Sequence, residues 1–161
     1  MVKGSAKTER PNGDINAPVI DLRDANRRAA LFRRIREDHR VEIAEDYVEL
    51  ISDLIETNGE ARPVDLASHL GVSGPTVNAV IQRLQKEGFV DSKPYRSIFL
   101  TKKGRDLANW SRARHKIVLE LLHAIGVPPD IAEADAEGME HHVSNSTLKA
   151  FEKLTNRLRC E

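Results

Sequence analysis

Between Arg23 and about Thr57 the chain has no Gly or Pro, and its apolar positions run Leu31, Phe32, Ile35, then Ile43, Tyr47, Leu50, Ile51, Leu54 and Ile55. The second group keeps the i, i+3, i+4, i+7 spacing of an amphipathic helix. Asn58-Gly59 is its stop signal. The arginines before residue 41 (Arg27, Arg28, Arg33, Arg34, Arg36, Arg40) belong either to a separate helix or to the first half of one long helix. Residues 1–20 show no apolar period and mix Gly, Pro, Asn, Ser and Lys, which reads as a disordered tail.

The next segment carries the sharpest local pattern. Val64, Leu66, Ala67 and Leu70 face one side of a short helix that Gly71 ends. Ser73 is placed to cap a second helix, with Pro75 in its first turn where a missing N–H costs nothing. Val77, Val80, Ile81 and Leu84 form that helix's apolar stripe, and Gly88 closes it. Two short helices joined by a Gly-containing turn make a helix-turn-helix, whose second helix fits a DNA major groove. Two short apolar runs follow, split by Ser-Lys-Pro-Tyr-Arg-Ser, as in a β-hairpin wing. The small, polar first turn of the second helix and the basic wing tip suit base and phosphate contact. The expected DNA-binding set is Ser73, Gly74, Pro75, Thr76, Asn78, Arg83, Lys93 and Arg96.

Three more helices are expected: Lys102 to about Ile125, one opened by Pro128-Pro129-Asp130 and running through AEADAEGMEHHVS, and Ser146 to about Leu158. A winged helix needs none of them to fold, so dimerisation is their expected use. The fold class is mainly α: an N-terminal winged helix-turn-helix with a small β-hairpin wing, then a C-terminal helical metal-binding and dimerisation domain. The expected boundaries are a tail at 1–22, the DNA-binding domain at 23–104 and the helical domain at 105–161.

Charge alters this picture. The 161 residues hold 25 Lys+Arg and 25 Asp+Glu, and as a total that neutrality argues against DNA. The neutrality hides segregation. Residues 41–58 hold six acids and no base, 59–104 hold seven bases against four acids, and 127–145 again hold acids alone. Asp46 and Glu49 share one flank of the first helix, and Glu137, Glu140 and His141 are spaced i, i+3, i+4 on another. His115 lies midway along the long helix. Donors on three helices suggest a binuclear or single divalent-cation site between them. His142, about 100° from His141, is expected outside the ligand set, and His39, His69 and His123 show no ligand spacing.

No run approaches a membrane span and the N-terminus lacks a signal peptide's apolar core, so a cytoplasmic protein with no membrane partner is expected. The single cysteine, Cys160, builds neither a disulfide framework nor a thiolate zinc site. A di-metal hydrolase could use the same carboxylates, but no nucleophile motif or glycine-rich phosphate loop accompanies them. A metal-independent winged-helix regulator of small molecules would leave the acids as plain surface. The expectation is no enzyme and no small organic substrate.

VSGPTVNAVIQRL, KPYRSIFLT with KKG after it, RHKIVLELLHAIGV and DAEGMEHHVS together resemble the diphtheria-toxin-repressor family of metal-dependent transcriptional regulators, in its manganese-responsive branch. The likeness runs from about Ile43 to Leu158. It implies a ligand set of Asp46, Glu49, His115, Glu137, Glu140 and His141, a binuclear Mn²⁺ site with Fe²⁺ as the alternative, and a homodimer repressing manganese-uptake genes at a double-stranded operator. An iron-responsive repressor is the nearest alternative within the family. Iron-type members place sulfur at some of these positions, whereas every donor here is oxygen or imidazole, which suits Mn²⁺. Ala79 stands where iron-type members carry a base-facing glutamine, and their third, SH3-like domain has no expected counterpart.

Overall fold

The structure, a computed structural model, describes residues 25–92 and 97–160. Lys93 and Arg96 at the wing tip, and the tail expected at 1–22, lie outside the described residues. The Arg-rich stretch and the amphipathic stretch form one continuous 34-residue helix, α1 (Ala25–Asn58). Then come α2 (Pro63–Leu70), α3 (Gly74–Lys86), β1 (Val90–Ser92), β2 (Ile98–Leu100), α4 (Lys102–Ala124), α5 (Pro129–Met139), a 3-10 turn at Glu140–His142, and α6 (Asn145–Leu158).

Only the C-terminal half of α1 has a buried face. Ala44, Tyr47, Val48, Ile51 and Leu54 pack with Leu66 of α2, Val77, Ile81 and Leu84 of α3, the inward wing residues Val90, Ile98 and Leu100, and Ala108 of α4. Each large side chain buried here contributes about 1.5–3 kcal/mol. By contrast every residue from Ala29 to Val41 is exposed, Leu31, Phe32 and Ile35 included.

The turn between α2 and α3 has a plain backbone cause. Gly71 ends α2 with φ 63°, in the left-handed region that glycine enters without penalty. Ser73 then caps α3, its Oγ accepting from Thr76 N at 3.3 Å. In the wing, β1 and β2 pair antiparallel with Val90 opposite Leu100 and Ser92 opposite Ile98. Ile98 N also donates to the Ala61 carbonyl at 2.8 Å, which pins the wing to the segment before α2.

α4 serves both halves of the chain. Its Ala108 belongs to the first core, while Val118 and Leu122 pack with Ala132, Ala136 and Leu148 in a second. Near its start Gly104 lies so close to β1 that an added Cβ would overlap the Phe89 carbonyl oxygen. Arg112 pairs with Asp53 and, at 2.9 Å, with Glu56, tying α4 to α1.

Candidate metal centre and nucleic-acid interface

α1, α4, α5 and the 3-10 turn bring acids of the two acid-only windows together with His115 and His141. Around His115, Nδ1 lies 2.6 Å from Glu140 Oε2 and 3.7 Å from Glu137 Oε2, and Nε2 lies 3.4 Å from Glu133 Oε2. Ligand atoms of His115, Glu137 and Glu140 fit within 4.8 Å of one another, close enough to share a cation. Around His141, Nδ1 lies 2.6 Å from Glu45 Oε2 and Nε2 lies 3.2 Å from Asp46 Oδ1. Glu140 joins the two groups, since its other oxygen is 3.5 Å from His141 Nε2. The Ser111 hydroxyl also donates to Glu140 at 3.4 Å, and Ser111 and Glu137 both act on the Glu49 carboxyl, which sets Glu49 beside this centre.

One local expectation fails. The α-helix does not continue through Glu140 and His141, but stops at Met139 and tightens into the 3-10 turn. The cause is Arg114, a buried guanidinium whose Nη2 donates to the Glu140 carbonyl and, at 3.1 Å, to that of Val143. It also stacks over the Trp110 ring at 4.1 Å. Holding these two carbonyls just past α5's end keeps the Glu140 side chain inward, at 2% exposure, with His141 aimed at α1. His142 is exposed, and His39, His69 and His123 lie on the surface away from the centre.

The protonation equilibria show what the centre lacks when only protein atoms compensate its charge. Burial pushes the Glu49 carboxyl up, with Asp53 and Glu137 adding to the shift against the Ser111 hydrogen bond and Arg112. Burial likewise raises Glu140, against the pull of both imidazoles. For His141 burial works downward, but hydrogen bonds to Asp46 and Glu45 and their charges outweigh it, pushing the imidazole up to about 10. His115 is raised in the same way, burial being overcome by Glu140, Glu133 and Glu137. Packed acids retain protons on both imidazoles, which is the behaviour of a donor set short of positive charge. Oxygen and imidazole donors without sulfur fit a hard or borderline divalent cation.

Glu45, Glu133 and Ser111 complete the centre, and the spacing of the sequence does not mark them. The Glu45–His141 contact spans 96 positions. Local spacing shows only that Glu45 precedes Asp46.

In the first domain, Ser73, Gly74, Pro75, Thr76 and Asn78 are all exposed along the first turns of α3. Arg83 is placed differently. It is half-buried against α1, its Nη2 donating to the Arg40 carbonyl at 3.3 Å and its Nε 3.9 Å from Glu87 Oε1.

A winged helix-turn-helix coupled through shared helices to a carboxylate–imidazole centre defines a metal-responsive DNA-binding regulator. Two sequence profiles cover most of the chain: "Iron dependent repressor, N-terminal DNA binding domain" matches residues 39–98, and "Iron dependent repressor, metal binding and dimerisation domain" matches 101–160. The chain belongs to the iron dependent repressor family. It is 55% identical over 126 residues to the transcriptional regulator MntR of Escherichia coli O157:H7, covering 78% of this chain and 81% of that protein. With MntR of Salmonella typhimurium the identity is 56% over 126 residues, covering 78% and 80%. Among solved structures, the manganese regulator SloR aligns with a TM-score of 0.61 at 28% identity, covering 70% of this chain and 53% of that one. A manganese-dependent transcriptional repressor in complex with manganese aligns with a TM-score of 0.64 at 28% identity, covering 70% and 52%. The chain thus spans about half the length of those two solved proteins.

Proposed function

We propose that this protein is a homodimeric repressor that binds operator DNA when Mn²⁺ occupies the centre between α1, α4 and the 3-10 turn. Asp46, Glu49, His115, Glu137, Glu140 and His141 hold the cation. The observation that carries this reading is the Glu140 carboxylate, which offers one oxygen to the His115 group and the other toward the His141 group. With these partners Glu140 would help hold one or two divalent cations, supplying a negatively charged oxygen ligand to each group of donors. Glu45 and Glu133 orient the imidazoles from behind, as carboxylates commonly do at metal-ligating histidines. The MntR relatives and the manganese-dependent structural neighbours support Mn²⁺ as the ion.

Residues 23–104 form the DNA-binding domain and 105–161 the helical domain, a division supported by the two profile matches. Ser73, Gly74, Pro75, Thr76 and Asn78 meet the major groove, with Lys93 and Arg96 at flanking phosphates. Arg83 joins them only after leaving the Arg40 carbonyl. The protein works at the cytoplasmic chromosome, and no described helix is long and apolar enough to cross a membrane.

A bound divalent cation supplies the positive charge that the clustered carboxylates lack. Asp46 and Glu49 are carried by the helix that packs on α3, while His115, Glu140 and His141 belong to the helical domain. Held by one cation, these residues would fix how the reading head sits on that domain. Metal and operator then raise each other's affinity by the same factor. The test is fluorescence anisotropy on duplexes from the upstream regions of the genome's manganese-uptake genes, with Mn²⁺, Fe²⁺, Zn²⁺ or chelator. Tight binding with Mn²⁺ and a large loss with chelator is the expected result. Equal affinity in both overturns the proposal.

A further inference from the structure

The family's DNA-binding profile begins at residue 39, so the helical arm from Ala25 to Asp38 has no role assigned to it. Residues 25–40 hold six arginines against two acids, Glu37 and Asp38. Their arrangement is not uniform. At 100° per residue, Arg33, Arg36 and Arg40 lie at i, i+3 and i+7 on one face. Leu31 and Ile35 lie roughly opposite, Phe32 falls beside Arg36, and Glu37 lies at the edge of the basic face.

Arg40 shows where the basic face points. Its guanidinium pairs with Glu87 just past the end of α3, and its carbonyl accepts from Arg83 of α3 at 3.3 Å. Lys103 Nζ donates to the Glu87 carbonyl at 2.9 Å, and Lys86 is exposed beside it. Arg33 and Arg36 therefore continue outward a basic ridge that starts at the C-terminal end of the recognition helix. Both are exposed and neither makes an ion pair within the described residues. A rigid helix presents them, so little backbone freedom is lost when they meet a partner.

We propose that the Arg33–Arg36 face of the α1 arm is a second DNA-contacting surface that grips the phosphate backbone outside the groove read by α3. This rests on the DNA-binding reading above and extends it. The complementarity is of charge alone: unpaired guanidiniums in register on one face match a row of phosphates and read no base. Arg33 and Arg36 are about 4.5 Å apart along the helix axis, comparable to the roughly 3.4 Å axial spacing of neighbouring phosphates on one strand. Leu31 and Ile35 point the other way and take no part in this contact.

The test uses the full-length chain with saturating Mn²⁺, the operator duplex found above and a mixed-sequence 30-bp duplex (~30 bp is long enough for flanking contacts). Affinity is measured between low and physiological salt for wild type, Arg33→Ala/Arg36→Ala and Leu31→Ser/Ile35→Ser, with sedimentation velocity in parallel. Removing one phosphate partner lowers the slope of log K against log salt by about 0.9, so the slope falls by about 3.6 in a dimer of the arginine double variant. The fall is equal on both duplexes, at unchanged sedimentation and unchanged Mn²⁺ affinity. The Leu31/Ile35 variant keeps the wild-type slope. An unchanged slope in the arginine variant, with wild type still binding DNA in response to Mn²⁺, overturns this inference and leaves the proposed function standing. Loss of self-association in the arginine variant at unchanged slope also overturns it, assigning the arm to a second copy of the chain. Absence of Mn²⁺-dependent binding in wild type overturns both.

Discussion

Replacing Glu45 by Gln tests the least anticipated contact of the centre. Glu45 is 2% exposed, and its carboxylate lies 2.6 Å from His141 Nδ1. Gln keeps the shape and one acceptor oxygen and removes the charge. A hydrogen bond to a charged partner is worth about 1.5–3 kcal/mol, against about 1 kcal/mol for a neutral one. Relief from burying Glu45's own charge offsets part of the difference. The metal-free chain should therefore lose about 1–2 kcal/mol near neutral pH, which for a domain of this size lowers Tm by roughly 2–8 °C. Because the attraction is to a protonated imidazole, the penalty should shrink as pH approaches about 10, where His141 gives up its proton. Thermal melts of both chains in chelator at pH 6.5, 8 and 9.5 provide the assay. A penalty that is absent at pH 6.5, or constant across the series, refutes the argument that Glu45 acts through His141's charge.

Three further outcomes follow from the same structure. Glu49, Glu140, His115 and His141 all bind protons more tightly folded than unfolded, so the metal-free chain should lose stability as pH rises from 6 to 9, the unfolded chain giving up the His141 proton near 6.5 while the folded chain holds it to about 10. Saturating Mn²⁺ should reverse the trend, since ligation requires unprotonated donors, and a metal-free Tm that climbs with pH would contradict this. Gly104→Ala should cost about 3 kcal/mol or more, since the new Cβ overlaps the Phe89 carbonyl that accepts from Thr101 N; a urea midpoint close to wild type would show that α4 and β1 separate freely. Ser73→Ala should cost about 1 kcal/mol by uncapping α3, whereas Ser73→Asp keeps the cap and places an anion at the DNA face. The Asp variant should hold its urea midpoint and lose operator affinity, and retained affinity would remove Ser73 from the contact surface.

Helix periods, caps and glycines were legible in the sequence because each is fixed by neighbours within a turn or two. Gly71 and Ser73 place the helix-turn-helix joint where the apolar spacing puts it. The pairing of acids with histidines was legible only as three sets of donors with no distance between them. Two features lay beyond local reading. The end of α5 at Met139 is imposed by Arg114 from 26 residues earlier, through a carbonyl that the i, i+3, i+4 pattern does not reveal. Arg83 reads as a groove-facing arginine, yet α1 lies close enough to take its guanidinium. The continuity of α1 was similarly open, since an amphipathic period says which face is apolar and not whether anything covers it.

That continuity gives the molecule a mechanical property. A helix rises about 1.5 Å per residue, so Asp46 lies about 31 Å from Ala25 on a single unbroken rod. A tilt of only about 5° about the Asp46 end would sweep the far tip through nearly 3 Å, roughly the axial step between neighbouring phosphates on one strand. Sub-ångström adjustment among the carboxylates would thus arrive at the arm magnified. On the proposed reading, α1 would be a lever whose short end ion ligation sets and whose long end measures that setting out along the duplex.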